Sequence, residues 1–196
     1  MSLNKKYENL IIYLIGPMED DSMAEKVFET YAQALRSSGV AEVLNPCEQE
    51  KDKTGMNTTD AQKGIQNLRL GGQNDEVDRI YKAIWKVDSE NVRKSDLLIA
   101  HLERGDRYTG TSVEGTLANI PNFLDMLTYQ ETDEQEYKNI VRPWLKRVGW
   151  CKPVYLITTS KTRINGTFVH KLVRASGGKV FHTMPQLIEH LKEIYK

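Results

Sequence analysis

Two hydrophobic patterns alternate along the chain, unbroken apolar runs and apolar positions at helical spacing. Leu10-Ile11-Ile12-Tyr13-Leu14-Ile15 is continuous and ends at Gly16-Pro17, as expected of a strand buried on both faces. From Ser22 to Ser38 the spacing becomes helical, with Met23, Val27, Tyr31, Ala34 and Leu35 on one side and Gly39 as the stop. Ala41 to Leu44 predicts a second strand ending at Asn45-Pro46. Glu48 to Asn74 is polar, contains glycine and lacks a period, so it reads as a long mobile excursion. A helical face of Val77, Ile80, Tyr81, Ile84 and Trp85 follows. Val87 to Lys94 carries it, with or without a break, to a third strand at Asp96 to Leu102.

A polar loop from Glu103 to Thr109 leads to a helix opened by Thr111 and running to about Ile120, where Pro121 interrupts it. Asn122 to Trp150 interleaves Phe123, Leu124, Tyr129, Ile140, Trp144 and other apolar residues with charge, which predicts two amphipathic helices as an insertion. Lys152-Pro153 introduces a fourth strand, Val154 to Thr158. Phe168 to Ala175 reads as helical, Gly177-Gly178 turns the chain, and Lys179 to His182 is a short fifth strand. Met184 to Tyr195 closes as an amphipathic helix with Leu187, Ile188, Leu191 and Ile194 inward.

Strands alternating with helices imply a parallel sheet covered on both faces. The expected architecture is a single α/β domain over 1–196, a flavodoxin-like or Rossmann-like doubly wound fold. Its five-stranded parallel sheet has the order 2-1-3-4-5, with a polar insertion at 48–74 and a helical one at 122–150. That order puts the topological switch between the first and third strands, where open α/β sheets bind small ligands. The loops leaving those strands begin at Gly16 and Glu103, so the most motif-like segments converge on one crevice.

Composition narrows the partners. With 27 basic and 27 acidic residues in 196, nothing points to a polyanion or a membrane surface. The apolar run after Lys5 and Lys6 is too short for a secretion signal, and no window approaches membrane-spanning length. Cys47 and Cys151 are far apart and outside metal-ligand spacing, which points to reduced thiols and a cytoplasmic setting. His101 ends the third strand near the crevice and reads as a satisfied core histidine. His170, His182 and His190 also lack ligand spacing, so neither a metal nor a cofactor is expected.

Glu114 carries the candidate chemistry. It falls in the first turn of the helix above the carboxyl edge of the sheet, where a carboxylate could attack an electrophilic carbon, as in glycosyl transfer. Thr111-Ser112-Val113-Glu114 is equally a capping box, with Glu114 folding back onto the backbone of Thr111. Tyr13, near the end of the first strand, either fixes Glu114 through its hydroxyl or simply packs in the core. Gly16 lets the backbone approach a ligand and Pro17 stiffens the turn, or both are punctuation after a strand.

Tyr13-Leu14-Ile15-Gly16-Pro17-Met18 is similar to the opening motif of nucleoside 2-deoxyribosyltransferases and related nucleoside or nucleotide N-glycosidases. Asp88 and Asp96 resemble that family's two acids before and at the start of the third strand. Gly110-Thr111-x-x-Glu114-x-x-x-Ala118 resembles its nucleophile motif. Lys152-Pro153-Val154 looks like its entry to the fourth strand, with Cys151 replacing a glycine. The resemblance covers most of the chain apart from 48–74 and 122–150. It implies cleavage of the N-glycosidic bond of a 2-deoxyribonucleoside through a covalent Glu114 intermediate and transfer of the sugar to another base, a nucleotide-salvage reaction.

In that reaction Asp88 is the acid serving the base, and Tyr13, Gly16, Pro17, Met18, Gly110 and Thr111 line the substrate. By its own position, Asp88 is otherwise a solvated helix acid or an N-cap, and Asp96 an anchor for backbone N–H groups. The family's acid or serine six residues before the nucleophile is Tyr108 here, with Asp106 two residues further back as its substitute for sugar recognition. Asn165 falls where relatives place an asparagine that reaches a neighbouring subunit's sugar, and is otherwise a turn asparagine before Gly166. The implied assembly is a homo-oligomer, with the apolar 122–150 insertion packed on another subunit or over the crevice. Hydrolysis of a nucleoside or its 5′-monophosphate is the alternative reaction, and a non-catalytic nucleotide-sensing domain the alternative of another class. The acidic run Met18-Glu19-Asp20-Asp21 favours a nucleoside, whereas Arg107, Thr109, Thr111 and Ser112 could cradle a phosphate.

Overall fold

The computed structural model describes residues 5–16, 22–49, 58–102, 143, 147, 152–159 and 173–196. Five parallel strands form one sheet in the order β2-β1-β3-β4-β5. They are β1 (Ile11–Ile15), β2 (Glu42–Leu44), β3 (Leu97–His101), β4 (Val154–Ile157) and β5 (Val180–Phe181). In register, Tyr13 lies between Leu44 of β2 and Leu98 of β3. The chain steps outward from β1 to β2 and then crosses β1 to reach β3. The switch between β1 and β3 expected from the sequence is therefore present.

The unbroken apolar runs are explained by a two-sided core. On one face Ile12, Leu14, Leu97, Ile99, Tyr155 and Ile157 meet Phe28, Ala32 and Leu35 of α1 (Ser22–Ser37). Leu187 and Leu191 of the last helix, Met184–Ile194, join the same cluster. On the other face Tyr13, Ile15, Leu44, Leu98, Ala100, Val154 and Leu156 pack with Val92 and Val173. Successive strand residues point to opposite faces, so every position of a central strand is consumed by one helical layer or the other. The last helix is capped as its sequence invites, with Thr183 Oγ1 accepting from the Gln186 N–H and proline in the first turn.

Two expectations need correction. The stretch 48–74 contains a regular helix, α2 (Thr58–Leu70), which packs against α3 (Asn74–Lys94) as a hairpin turned at Gly71-Gly72. Gly72 takes φ +74°, a conformation that favours glycine. The period was hard to see because the described inward positions are few, chiefly Ile65, buried, and Leu68, half-buried. α3 itself runs unbroken from Asn74 to Lys94, so the helix continues where the sequence had left a break open. Second, the buried face of α1 takes in Phe28 and Ala32, which the expected stripe omitted, beside Leu35, which it included. Val27, Tyr31 and Ala34 flank it half-buried. The helix expected at 111–120 lies outside the described residues, and so does 122–150 apart from Pro143 and Arg147, which are helical.

Two carboxylate and ammonium contacts fix the amino edge of the sheet. Asp96 Oδ2 accepts from the Ile11 N–H at 2.7 Å and from Lys5 Nζ at 2.6 Å, while the Asp96 N–H donates to the Ile11 carbonyl. Asp96 is thus the backbone anchor that its place at the strand entry indicated. Lys152, buried just before β4, donates through Nζ to the carbonyls of Arg93 (2.7 Å) and Ser95 at the end of α3. These carbonyls are among the acceptors a helix leaves open at its C-terminus.

Burial pushes the Lys152 ammonium down to about 8, against an attraction to Asp96 that holds it up. An unfolded lysine titrates near about 10.4, so between these values the unfolded chain binds the extra proton and stability rises with pH. The tyrosines Tyr7, Tyr155 and Tyr195 are pushed up by burial, so their effect is a loss of stability above about pH 10. Denaturant midpoints should therefore climb between about pH 8 and 9.5 in the wild type and stay level in Lys152→Met. The same climb in both proteins would contradict this assignment.

Candidate functional site

The site is built at the height where β1 gives way to its loop. Tyr13 points from β1 to the α3 side of the sheet, fully buried, and its hydroxyl donates to Asp88 Oδ1 at 3.0 Å. Asp88 lies within α3, half-buried, neither an N-cap nor a freely solvated acid. The geometry follows from the sequence. α3 descends along the sheet toward β3, and Asp88 sits two turns before its end on the side that faces β1. The sequence had linked the Tyr13 hydroxyl to Glu114. The structure gives Tyr13 a bond to Asp88, and Glu114 lies outside the described residues.

Asparagine and glutamine complete this side of the site, and sequence reasoning missed both. Asn91, one turn after Asp88 and buried, exchanges amide hydrogen bonds with Gln49, at 2.5 Å from its Nδ2 to Gln49 Oε1 and 3.4 Å in the other direction. Gln49 belongs to a helical turn over 46–49 that follows β2, begun by buried Asn45, whose Oδ1 accepts from the Cys47 N–H. The same turn is tied to α1 by Arg36, whose guanidinium donates to both Glu48 oxygens, at 2.8 and 2.6 Å, and holds the Glu48 carboxyl below its usual range. The available signal was the spacing of Asp88 and Asn91, which puts an acid and an amide on one helix face.

On the other face, His101 at the end of β3 shares a hydrogen bond with the Tyr31 hydroxyl at 3.0 Å through Nδ1. The rings meet edge to face at 5.4 Å, so His101 is a packed, satisfied histidine. Gly16 sits beside it. A Cβ there would stand 2.7 Å from Phe28 Cζ and 3.1 Å from the His101 carbonyl oxygen. The close approach seen at Gly16 is to α1 and β3, which by itself accounts for a glycine there. Thr158, buried past the end of β4, offers its carbonyl to His182 Nδ1 at 3.0 Å.

Of the residues singled out in the sequence, Tyr13, Gly16 and Asp88 gather around the carboxyl half of β1. Pro17, Met18, Asp106, Gly110, Thr111, Glu114 and Asn165 lie outside the described residues. Among the described residues no three His, Cys, Asp or Glu side chains form a metal-binding group, and no helix is long and apolar enough to cross a membrane.

The Tyr13–Asp88 bond should be measurable. A double-mutant cycle of Tyr13→Phe and Asp88→Asn, read by denaturant unfolding, should return a coupling of about 0.5–3 kcal/mol, as contacting residues do. Strict additivity would mean that the contact contributes nothing.

Comparison with known proteins agrees at the level of the fold. The structure is similar to that of a 2-deoxyribosyltransferase from the psychrotolerant bacterium Bacillus psychrosaccharolyticus, with a TM-score of 0.52 and 17% sequence identity over 91% of this chain and 90% of that one. No family model matches the sequence, and no curated protein matches it. The chain therefore shares the doubly wound α/β fold of that deoxyribosyltransferase, with its five-stranded parallel sheet in the order 2-1-3-4-5.

Proposed function

We propose that this protein cleaves the N-glycosidic bond of a 2-deoxyribonucleoside and transfers the sugar to a second base. The observation that carries the reading is the Tyr13–Asp88 hydrogen bond at the β1 side of the switch point. It holds a half-buried carboxyl where a sheet of this order binds small ligands. The fold shared with a deoxyribosyltransferase supports the same reading, as does the run Gly110-Thr111-x-x-Glu114 after β3.

In the first step a Glu114 carboxylate oxygen bonds to the anomeric carbon. The bond from that carbon to the base breaks, its electron pair passes to the base nitrogen, and a proton from the Asp88 carboxyl neutralises the departing base. In the second step the nitrogen of an incoming base bonds to the anomeric carbon, the ester to Glu114 breaks, and the proton lost by that nitrogen returns to Asp88. The two acids need opposite protonation states at the start, which different environments supply. Tyr13, by donating to Asp88, sets the direction of its carboxyl. Asp106 and Asn165 serve the sugar, with Asn165 reaching across to a neighbouring copy in a homo-oligomer. The 48–74 and 122–150 segments are insertions on this frame.

Glu114→Gln should abolish base exchange while lowering stability by only about 0.5–2 kcal/mol, the cost of a lost cap. Asp88→Asn should slow ordinary deoxyribonucleosides by about 10²–10⁴-fold and leave a nitrophenyl deoxyriboside far less affected, because that leaving group needs no proton. Chromatographic analysis of products with and without an acceptor base reads both variants and separates transfer from hydrolysis. Near-native exchange by Glu114→Gln would overturn the proposal.

A further inference from the structure

We propose that Asn91 is a positioning residue for Asp88. By clasping Gln49 it fixes the roll of α3, and so the direction from which the Asp88 carboxyl meets Tyr13 and the departing base; this rests on the N-glycoside reading above. Asp88, Asn91 and Val92 share one side of α3. At about 100° per residue Asp88 lies between the other two, about 60° from Asn91 and about 40° from Val92. Val92 is fully buried in the apolar cluster that holds Tyr13, and Asn91 is buried too, while Asp88 is half-buried. Asp88 is therefore flanked by an apolar anchor on one side and a polar one on the other.

The two anchors differ in kind. Asp96 and Lys152 fix the foot of α3, and hence the height of each turn, but leave its roll to contacts along its side. Apolar contact at Val92 is non-directional and tolerates a roll. An amide pair does not, because each hydrogen bond needs its own distance and angle. Asn91 Nδ2 donates to Gln49 Oε1 at 2.5 Å, and Gln49 Nε2 donates to Asn91 Oδ1 at 3.4 Å. A roll of about 20° would carry a carboxyl about 5 Å from the helix axis sideways by about 2 Å. That is enough to break the 3.0 Å bond from the Tyr13 hydroxyl.

The far end of the clasp is itself held. Gln49 follows Glu48, whose carboxylate accepts two hydrogen bonds from Arg36 of α1, and Asn45 Oδ1 closes the same turn on the Cys47 N–H. A line of polar contacts thus runs from α1 through the turn after β2 to Asn91, beside the acid. Stability alone does not call for it. Asparagine is a poor helix former and its buried amide must be paired to offset desolvation, whereas leucine at both positions would avoid that cost. An amide pair one turn from the acid that serves the base fits a geometric duty.

The test is single-turnover cleavage of a deoxyribonucleoside by wild type, Asn91→Leu, Asp88→Asn and the double variant. A nitrophenyl deoxyriboside serves as the substrate whose leaving group needs no proton. Asn91→Leu should slow the nucleoside about 10–100-fold, the scale of a displaced catalytic group, and leave the nitrophenyl substrate near the wild-type rate. In the Asp88→Asn background the same substitution should change neither rate, because a residue that acts only through Asp88 has nothing left to position. Gln49→Leu combined with Asn91→Leu should keep the wild-type denaturant midpoint or exceed it, and must show the same selectivity between substrates. Equal slowing of both substrates, equal slowing in both backgrounds, or no slowing would overturn the positioning role and leave the glycoside reading standing. Cleavage of neither substrate by the wild type would overturn both.

Discussion

The double link between Asp96 and Ile11 is the constraint on which the rest of the site depends. The Asp96 carboxylate takes the Ile11 N–H while its own N–H goes to the Ile11 carbonyl, so the end of α3 and the start of β3 are pinned to the start of β1. Lys152 fastens the same point from β4 by donating to the last carbonyls of α3. With the foot of α3 fixed, the pitch of a helix decides which of its residues meets which height of the sheet. Asp88 meets the hydroxyl of Tyr13. An acid at the amino edge therefore sets the place of Asp88 beside Tyr13 without touching it.

This arrangement makes separate uses of four polar residues that look alike in the sequence. Asp96 and Lys152 act on backbone at the bottom of the sheet. Asp88 is held by a buried tyrosine near the top, and Asn91, between them, is paired with Gln49 so that the turn after β2 is drawn against α3. The central sheet is saturated on both faces by apolar contacts, so chemistry is confined to the carboxyl edge and to the helices that overhang it. That division is the general logic of open α/β folds, in which the sheet sets positions and the loops and helix ends carry function.

The sheet was legible in the sequence because two-sided burial leaves continuous apolar runs such as Leu10 to Ile15 and Leu97 to Ala100. Their alternation with helices fixes parallel order. Asp96 was legible for a local reason, since an acid at a strand entry has backbone donors within reach. The α2–α3 hairpin was not, because α2 places few apolar side chains inward and Gly64 interrupts its pattern. Tyr81 and Trp85 showed correct helical spacing, yet both stand exposed on α3. Spacing reports a shared face and says nothing of what lies opposite it. The Tyr13–Asp88 contact was hidden for the same reason, as the two residues are far apart in sequence and joined only through the crossover.

Intact-mass spectrometry of the wild-type protein incubated with a 2-fluoro-2-deoxynucleoside tests the central claim most directly. The fluorine slows turnover of the glycosyl ester more than a competent nucleophile is slowed in forming it, so a trapped intermediate accumulates. The account requires a single added deoxyfluororibosyl group, mapped by peptide digestion to Glu114 and discharged by an added base. An unmodified protein that nonetheless cleaves deoxyribonucleosides, or a sugar attached to any other residue, would contradict it.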